Sequence, residues 1–328
     1  MAVTTRAAIL RGVRDIELVE RTLVCGDNDV IVKNHLIGIC GSDKSFYRGQ
    51  MPPKTAEFRH APTFPFPLGH ESGGTIVELG AKVSDYKLGD KVIAFGWNNN
   101  YADYFCTPTW QLQPAPDGLE MDFVALGEPI ACAMHAGLNC GAQLGDTVLV
   151  LGGGFAGQII AQCAKKKGAL RVIVADVLDG KLELARKLGA DVTLNLGNEN
   201  AAARIFEMTG GAGVDVVVEA AGSASSFNFA SEVVRHNGKF VFYSWVTQPV
   251  SLNISRWHDD GLQFINTCLV HHSWRERHVW TPLALHPVVQ GMVDVRSLIT
   301  HEFPLSKIKA GFELADKDDT AVKITFRP

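Results

Sequence analysis

The chain has no C-x-x-C pair, no basic run long enough to grip nucleic acid, and no apolar stretch near the roughly 20 residues of a membrane span. Each absence removes a class of protein. The seven cysteines, at 25, 40, 106, 132, 140, 163 and 268, are too scattered for a disulfide framework or a four-cysteine structural zinc. Most are expected to be buried thiols, so any functional one has to be argued by itself. A net charge of -4 and a pI near 6.3 supply no basic field, and the one short cluster, "WRERH" at 274–278, reads as a solvated helix face. The start, "MAVTTRAAIL", lacks a charged segment followed by a long apolar core. The expectation is a cytoplasmic protein with neither a membrane nor a nucleic-acid partner.

What is present is the material of two cores. With 328 residues, 46% of them apolar and 20% charged, the chain is too long for one ordinary domain and too apolar for disorder. Residues 1 to about 110 alternate short β-branched runs with Gly, Asp and Pro, as in "DVIVKNHLIGIC" and "GDKVIAFGW", the pattern of a small irregular β domain. From Gly145 near-continuous apolar strands alternate with amphipathic helices: "DTVLVLGGG", "FAGQIIAQCAKKKGA", "RVIVAD", "GKLELARKLGA", "VDVVVEAAG". A parallel sheet covered on both faces requires this alternation. The fold class is therefore α/β, with a doubly wound domain over 144–271 and a β domain over 1–143 that the tail, 272–328, completes.

In "VLVLGGGFAG", Gly152, Gly154 and Gly157 make a G-x-G-x-x-G pattern, with Phe155 and Ala156 between, directly after a strand and at the opening of a helix. Glycine there lets the backbone approach a pyrophosphate at the helix N-terminus. Asp176 ends the next strand, where a carboxylate can accept from the adenosine ribose hydroxyls and repel a 2′-phosphate, so NAD is favoured over NADP. Backbone near Gly222, Trp245 and Leu269, at later strand ends, is expected to place the nicotinamide.

The stretch "LGHESGG", residues 68–74, sets a histidine beside a glutamate. Partners able to complete a tetrahedral site with His70 are Cys40 upstream, in "GICGSD", and Glu128 downstream, in "LGEPIACAMHA". Taken singly, Cys40 reads as a buried thiol, His70 as a strand-end histidine, and Glu71 and Glu128 as solvated charges. Their coincidence with a dinucleotide loop shifts the balance toward the metal reading.

At this point the residues resemble a family. "GICGSD", "PLGHESGGTIVELGAKVSDYKLGDKV", "GEPIACAMHA", the glycine loop and "ARKLGADVTLN" are similar, in order and over nearly the whole chain, to the zinc-dependent medium-chain dehydrogenases. The resemblance implies a GroES-like β catalytic domain beside a Rossmann domain, and an enzyme that moves a hydride between a secondary hydroxyl and NAD. It implies a metal set of Cys40, His70, Glu71 and Glu128, with direct ligation by Glu71 or by Glu128 left open, and Ser42, Glu71 and Glu128 as catalytic groups. Lys181 matches a basic residue that helps hold the adenosine ribose. Glu128 in its "EP" context resembles the polyol branch, so a polyol, sugar or cyclitol is the expected substrate, with a simple alcohol or an amino-alcohol as the alternative. A non-catalytic dinucleotide-binding or structural protein is the alternative of another class, and the retained polar cluster argues against it.

The chain departs from the family in three places. The lobe that carries a structural zinc in many relatives is missing, since "AFGWNNNYADYFCTP" contains Cys106 alone, so one zinc per chain is expected. Ser45 stands where a relay histidine is usual, leaving Ser42 to receive the substrate proton. The segment "MPPKTAEFRHAPTFPFP" is longer than usual and is expected to cover the pocket, with Lys54, Arg59 and His60 near substrate; Phe46, Trp97 and Phe123 are candidates for the apolar wall. By the same resemblance a homodimer or homotetramer is expected, with "LQFINTCLV" as an edge strand.

Overall fold

Strand β1 (Val3–Gly12) pairs antiparallel with β2 (Asp15–Leu23), and its buried run Ala7 to Leu10 faces a core while β2 alternates toward solvent. In the computed structural model, which describes residues 2–50, 63–96, 99–198, 200–246, 249–318 and 320–328, the chain then forms β3 (Asp29–Gly38), α1 (Gly41–Tyr47), β4 (Phe66–Pro67) and β5 (Ser72–Leu79). β6 (Lys91–Ala94), β7 (Tyr104–Pro108), β8 (Leu112–Pro114), α2 (Met121–Ala125) and α3 (Gly127–Asn139) follow. Arg59 and Trp97, with Lys54 and His60, lie outside the described residues.

The next stretch is the α/β alternation: β9 (Thr147–Leu151), α4 (Phe155–Lys166), β10 (Arg171–Asp176), α5 (Asp179–Lys187), β11 (Val192–Asn195), α6 (Ala201–Met208), β12 (Val214–Glu219), α7 (Ala224–Val233), β13 (Val234–Phe242) and β14 (Gln263–Asn266). These strands make one parallel sheet in the order β11-β10-β9-β12-β13-β14. Every residue of β9 is buried, as a central strand with both faces covered must be. The tail supplies α8 (Trp274–Val289), β15 (Ile299–Pro304), α9 (Ile308–Lys317) and β16 (Lys323–Arg327). Its two strands extend a sheet of order β15-β16-β3-β5-β6-β8, with β7 also on β3, so the C-terminus returns to the N-terminal β structure.

Two compact units result, one of residues 1–131, 270–289 and 299–328, the other of 132–269 and 290–298. The boundary falls inside α3, ahead of residue 143, because the second half of that helix packs tightly on α4: a Cβ on Gly137 would stand 2.7 Å from the Cβ of Cys163. Residues 290–298 join the second unit through Gln162, which donates to the Asp294 carbonyl (3.0 Å) and accepts from its N–H (2.8 Å).

The first unit's core combines Leu10, Ile37, Phe46, Tyr101, Phe312 and Phe326 with a second cluster around Val32, Ile76 and Phe105. "WRERH" is the solvated face expected of it at Arg275, Glu276 and His278, which are exposed, but not at Arg277. Arg277 is 4% exposed, donates to the Trp110 carbonyl (3.0 Å) and sits 5.1 Å from the Phe95 ring centre, while the Trp274 indole donates to Leu112 O (3.0 Å). A guanidinium that finds a carbonyl and a ring face can be buried, which composition alone does not reveal. The cysteines differ from expectation too: only Cys140 and Cys163 are buried. No helix among the described residues is long and apolar enough to cross a membrane.

Candidate functional site

Cys40 immediately precedes α1, at the end of the turn that follows β3, and His70 and Glu71 lie between β4 and β5. Gly69 makes the approach possible. Its φ is +113°, and a Cβ there would stand 2.8 Å from the backbone nitrogen of Tyr101, so no other residue fits before His70 without displacing that chain. The outcome is one cluster in which a thiol sulfur, an imidazole nitrogen and a carboxylate oxygen lie within 4.8 Å of one another. Soft sulfur, borderline nitrogen and hard oxygen in that proportion suit zinc.

Around the trio stand groups that the sequence reading did not single out. Asp43, fully buried on α1, accepts at Oδ2 from the Cys40 N–H (3.0 Å) and from the Tyr101 hydroxyl (2.8 Å), and its Oδ1 stands 3.7 Å from His70 Nδ1. A carboxylate behind a ligand imidazole orients the ring and raises its basicity. Burial raises the Asp43 pKa, against the pull of His70, the Cys40 N–H and Tyr101. For His70, burial disfavours the imidazolium, but the charges of Asp43, Cys40 and Glu128 outweigh it and hold the pKa well above the ordinary value. Tyr101 is raised well above its usual range by burial and by Asp43 and Glu71, and so stays a neutral donor.

Lys323, on β16, is the second addition. Its Nζ lies 2.6 Å from Glu71 Oε2 and donates to the Ile39 carbonyl (3.2 Å), with the two side chains only 4% and 2% exposed. One oxygen of Glu71 is therefore already held by a buried ammonium. "GICGSD" did contain Asp43, and its place three residues after Cys40 was the available signal; for Lys323 and Tyr101 there was none.

The remaining expected groups divide. Glu128, buried in the first turn of α3, is outside the trio, although its charge acts on His70. Ser42 Oγ is buried with no hydrogen-bond partner among the described residues, as is Asp43 Oδ1. Such orphaned polar atoms beside three donors fit a site built for a further group. Ser45 Oγ donates to the Gly41 carbonyl (3.4 Å). Phe46 is fully buried against Phe66, ring centres 5.2 Å apart, and Phe123 is 8% exposed in α2; both are core residues here.

The second unit carries the dinucleotide loop. Gly152 has φ +102°, and a Cβ on Gly157 would fall 1.8 Å from the Gly152 carbonyl oxygen, so that glycine is what lets α4 start against β9. A Cβ on Gly154 would meet nothing within 4 Å, and as N-cap of α4 it makes no side-chain cap. The start of this 12-residue helix thus has room beside Gly154, which fits a pyrophosphate. Phe155 and Ala156 form the first turn. Asp176 accepts at Oδ2 from Gly153 N (2.8 Å) and at Oδ1 from Val177 N (2.8 Å) and Leu178 N (3.1 Å), with Lys181 Nζ 3.9 Å away. Gly222 (φ +77°) gives its N–H to buried Glu219 (2.7 Å), Trp245 is 43% exposed, and Leu269 is buried.

Comparisons with known proteins agree with both units. Residues 26–117 match the alcohol dehydrogenase GroES-like domain, and residues 156–282 match the zinc-binding dehydrogenase family. The chain is 29% identical to D-arabitol-phosphate dehydrogenase of Enterococcus avium over 88% of this chain and 86% of that protein, and 28% identical to sorbitol dehydrogenase of Ovis aries over 89% and 87%. A further relative, from Agrobacterium fabrum, reaches 30% over 91% of this chain and 90% of its own. Among solved structures, an Escherichia coli oxidoreductase/dehydrogenase of unknown specificity involved in membrane biogenesis superposes with a TM-score of 0.85 at 25% identity, covering 99% of each chain. The metal trio, the glycine loop and these matches together make the chain an oxidoreductase of the zinc-dependent medium-chain dehydrogenase family, served by zinc and a nicotinamide dinucleotide.

Proposed function

We propose that the chain oxidises a secondary hydroxyl of a polyol, sugar or cyclitol with NAD, using one zinc per chain. The observation that carries this reading is the clustering of Cys40, His70 and Glu71 donors within 4.8 Å, on a chain that also holds a dinucleotide loop. It is the one group of three such donors among the described residues. Support for the substrate class comes from the relatives named for arabitol phosphate and sorbitol, and from Glu128 in its "EP" context.

Zinc held there supplies a Lewis acid for the substrate hydroxyl, and NAD on the glycine loop supplies the hydride acceptor. Ser42 receives the hydroxyl proton at Oγ. Asp43 keeps the His70 ring in the orientation and tautomer that a ligand needs, and Lys323 offsets the charge of buried Glu71, so that a thiolate and a carboxylate do not stand side by side uncompensated. Asp176, already fixed by three N–H groups, can accept from ribose hydroxyls, and its charge opposes a 2′-phosphate; NAD is preferred over NADP for that reason. A homodimer or homotetramer and a cytoplasmic location belong to the same reading, the former because β14 ends the six-stranded sheet as an edge strand.

The deciding experiment measures zinc per chain, in wild type and Cys40→Ser, alongside turnover of NAD and NADP with a panel of polyols and simple alcohols. About one zinc, lost with Cys40, and NAD turnover with polyols are expected. Zinc absent from wild type would sink the metal mechanism; turnover only with simple alcohols would sink the substrate class. Light scattering tests the assembly.

A further inference from the structure

Two of the thiols outside the metal cluster are neighbours, although they lie 81 positions apart in the chain. Cys106 lies on β7, opposite Ile31 of β3, and Cys25 lies in the turn that leads into β3. Cys106 Sγ donates to the carbonyl of Val24 (3.7 Å), the residue next to Cys25, and Cys25 Sγ donates to the Asp29 carbonyl (3.2 Å), so the β7 thiol stands against the turn that carries Cys25. The turn is held in place, Asp29 N donating to Gly26 O (3.1 Å) and Thr109 N to Asn28 O (3.4 Å). Both cysteines are partly exposed, and the adjoining Val24 is 76% exposed, so a small oxidant can reach them.

We propose that Cys25 and Cys106 form a thiol oxidation site, which closes to an intramolecular disulfide on reaction with a hydroperoxide. One sulfur attacks the O–O bond, becoming a sulfenic acid while the departing oxygen takes up a proton; the neighbouring thiol then displaces the sulfenic hydroxyl as water. Two sulfurs are oxidised and one peroxide bond is reduced, with no part for the zinc or the nucleotide. Burial raises both thiols, Cys106 to about 11, and the carboxylates of Asp29 and Glu78 add to the rise in each. The pair is thus mostly protonated at neutral pH and oxidises slowly. The same property makes each sulfur a poor leaving group, so the disulfide, once closed, resists exchange with small thiols.

The closed loop would contain Cys40, His70 and Glu71. A covalent tie between Cys25 and β7 restricts the unfolded chain around the metal ligands, so the oxidised protein should unfold at a higher temperature.

The test treats zinc-loaded protein with hydrogen peroxide, then alkylates it under denaturing, non-reducing conditions and maps the peptides by mass spectrometry. Before alkylation the expected product is about 2 Da lighter than the untreated protein; after it, two fewer thiols are alkylated and one cross-linked peptide joins Cys25 to Cys106. Cys25→Ser and Cys106→Ser, each folding normally by circular dichroism, should lose that product and accumulate a sulfenic adduct on the remaining thiol. Free Cys25 and Cys106 after oxidation of wild type, or either one cross-linked to a different cysteine, overturns the proposal. The readout on wild type alone decides, even if a variant fails to fold.

Discussion

The two sites of this protein are built on opposite principles. The dinucleotide loop works by leaving things out: between Gly152 and Gly157 the chain removes side chains so that backbone N–H groups can meet a ligand, and the whole feature is contiguous. The metal cluster works by gathering charge. Cys40 and Asp43, His70 and Glu71, and Lys323 come from three segments into one largely buried place, where each charge is tolerable only because another stands beside it. A site of the first kind should fail locally when a methyl group is added; one of the second kind should fail globally when a partner is removed.

The largest effect expected is for Lys323→Met in metal-free protein, because it leaves Glu71 buried without its ammonium. Removing one partner of a buried pair costs about 3–5 kcal/mol, to be read from urea unfolding, and Glu71→Gln in the same chain should restore most of it. A loss below about 1 kcal/mol would mean that the pair is better solvated than its exposure implies.

Next comes Gly157→Ala. Its Cβ has nowhere to go against the Gly152 carbonyl, so a cost of about 1–3 kcal/mol is expected together with weaker nucleotide binding. Gly154→Ala provides the contrast, since its Cβ meets no protein atom: calorimetry should show unchanged stability and impaired NAD binding only. Equal destabilisation by the two changes would break the distinction between a packing glycine and a ligand-facing one. Zinc content should be unaffected in both.

Asp43→Asn keeps the shape but weakens the orientation of His70, and zinc affinity measured by chelator competition should fall about 10-fold to 100-fold. No change would remove Asp43 from the site.

The smallest effect concerns a surface pair used as a control. Arg6 and Asp103 are bonded at 2.6 and 2.9 Å with side chains 47% and 20% exposed; burial pushes the Asp103 carboxyl up, but Arg6 outweighs it and holds the pKa low. A lowered folded-state pKa means that the stabilisation is present above the ordinary carboxylate pKa and is lost as pH falls through the folded value. Arg6→Gln should cost only about 0.2–1 kcal/mol near neutrality and nothing at a pH below both values, as measured by urea unfolding at several pH values. A cost matching that of Lys323→Met would erase the contrast between buried and exposed pairs.

Much of this was legible in the sequence. The α/β alternation, the glycine loop and Asp176 could be read because each is local: strand, turn and helix follow one another, and their hydrophobic periods report the sheet directly. Cys40 and His70 were legible for another reason, namely that uncommon donor residues flank recognisable strand ends. The burial of Arg277 was not, because it depends on the Trp110 carbonyl and the Phe95 ring meeting it from distant parts of the chain.

By itself, then, the sequence determined that a parallel sheet would carry an unobstructed phosphate loop, and it supplied a thiol, an imidazole and carboxylates in order. Only the tertiary structure decided which carboxylate joins the trio, that Lys323 reaches Glu71 across 252 positions, and that Asp43 stands behind His70. The physical reason is the range of the forces: backbone conformation is set by neighbours in the chain, whereas the energy of a buried charge is set by whatever folding brings within a few ångströms.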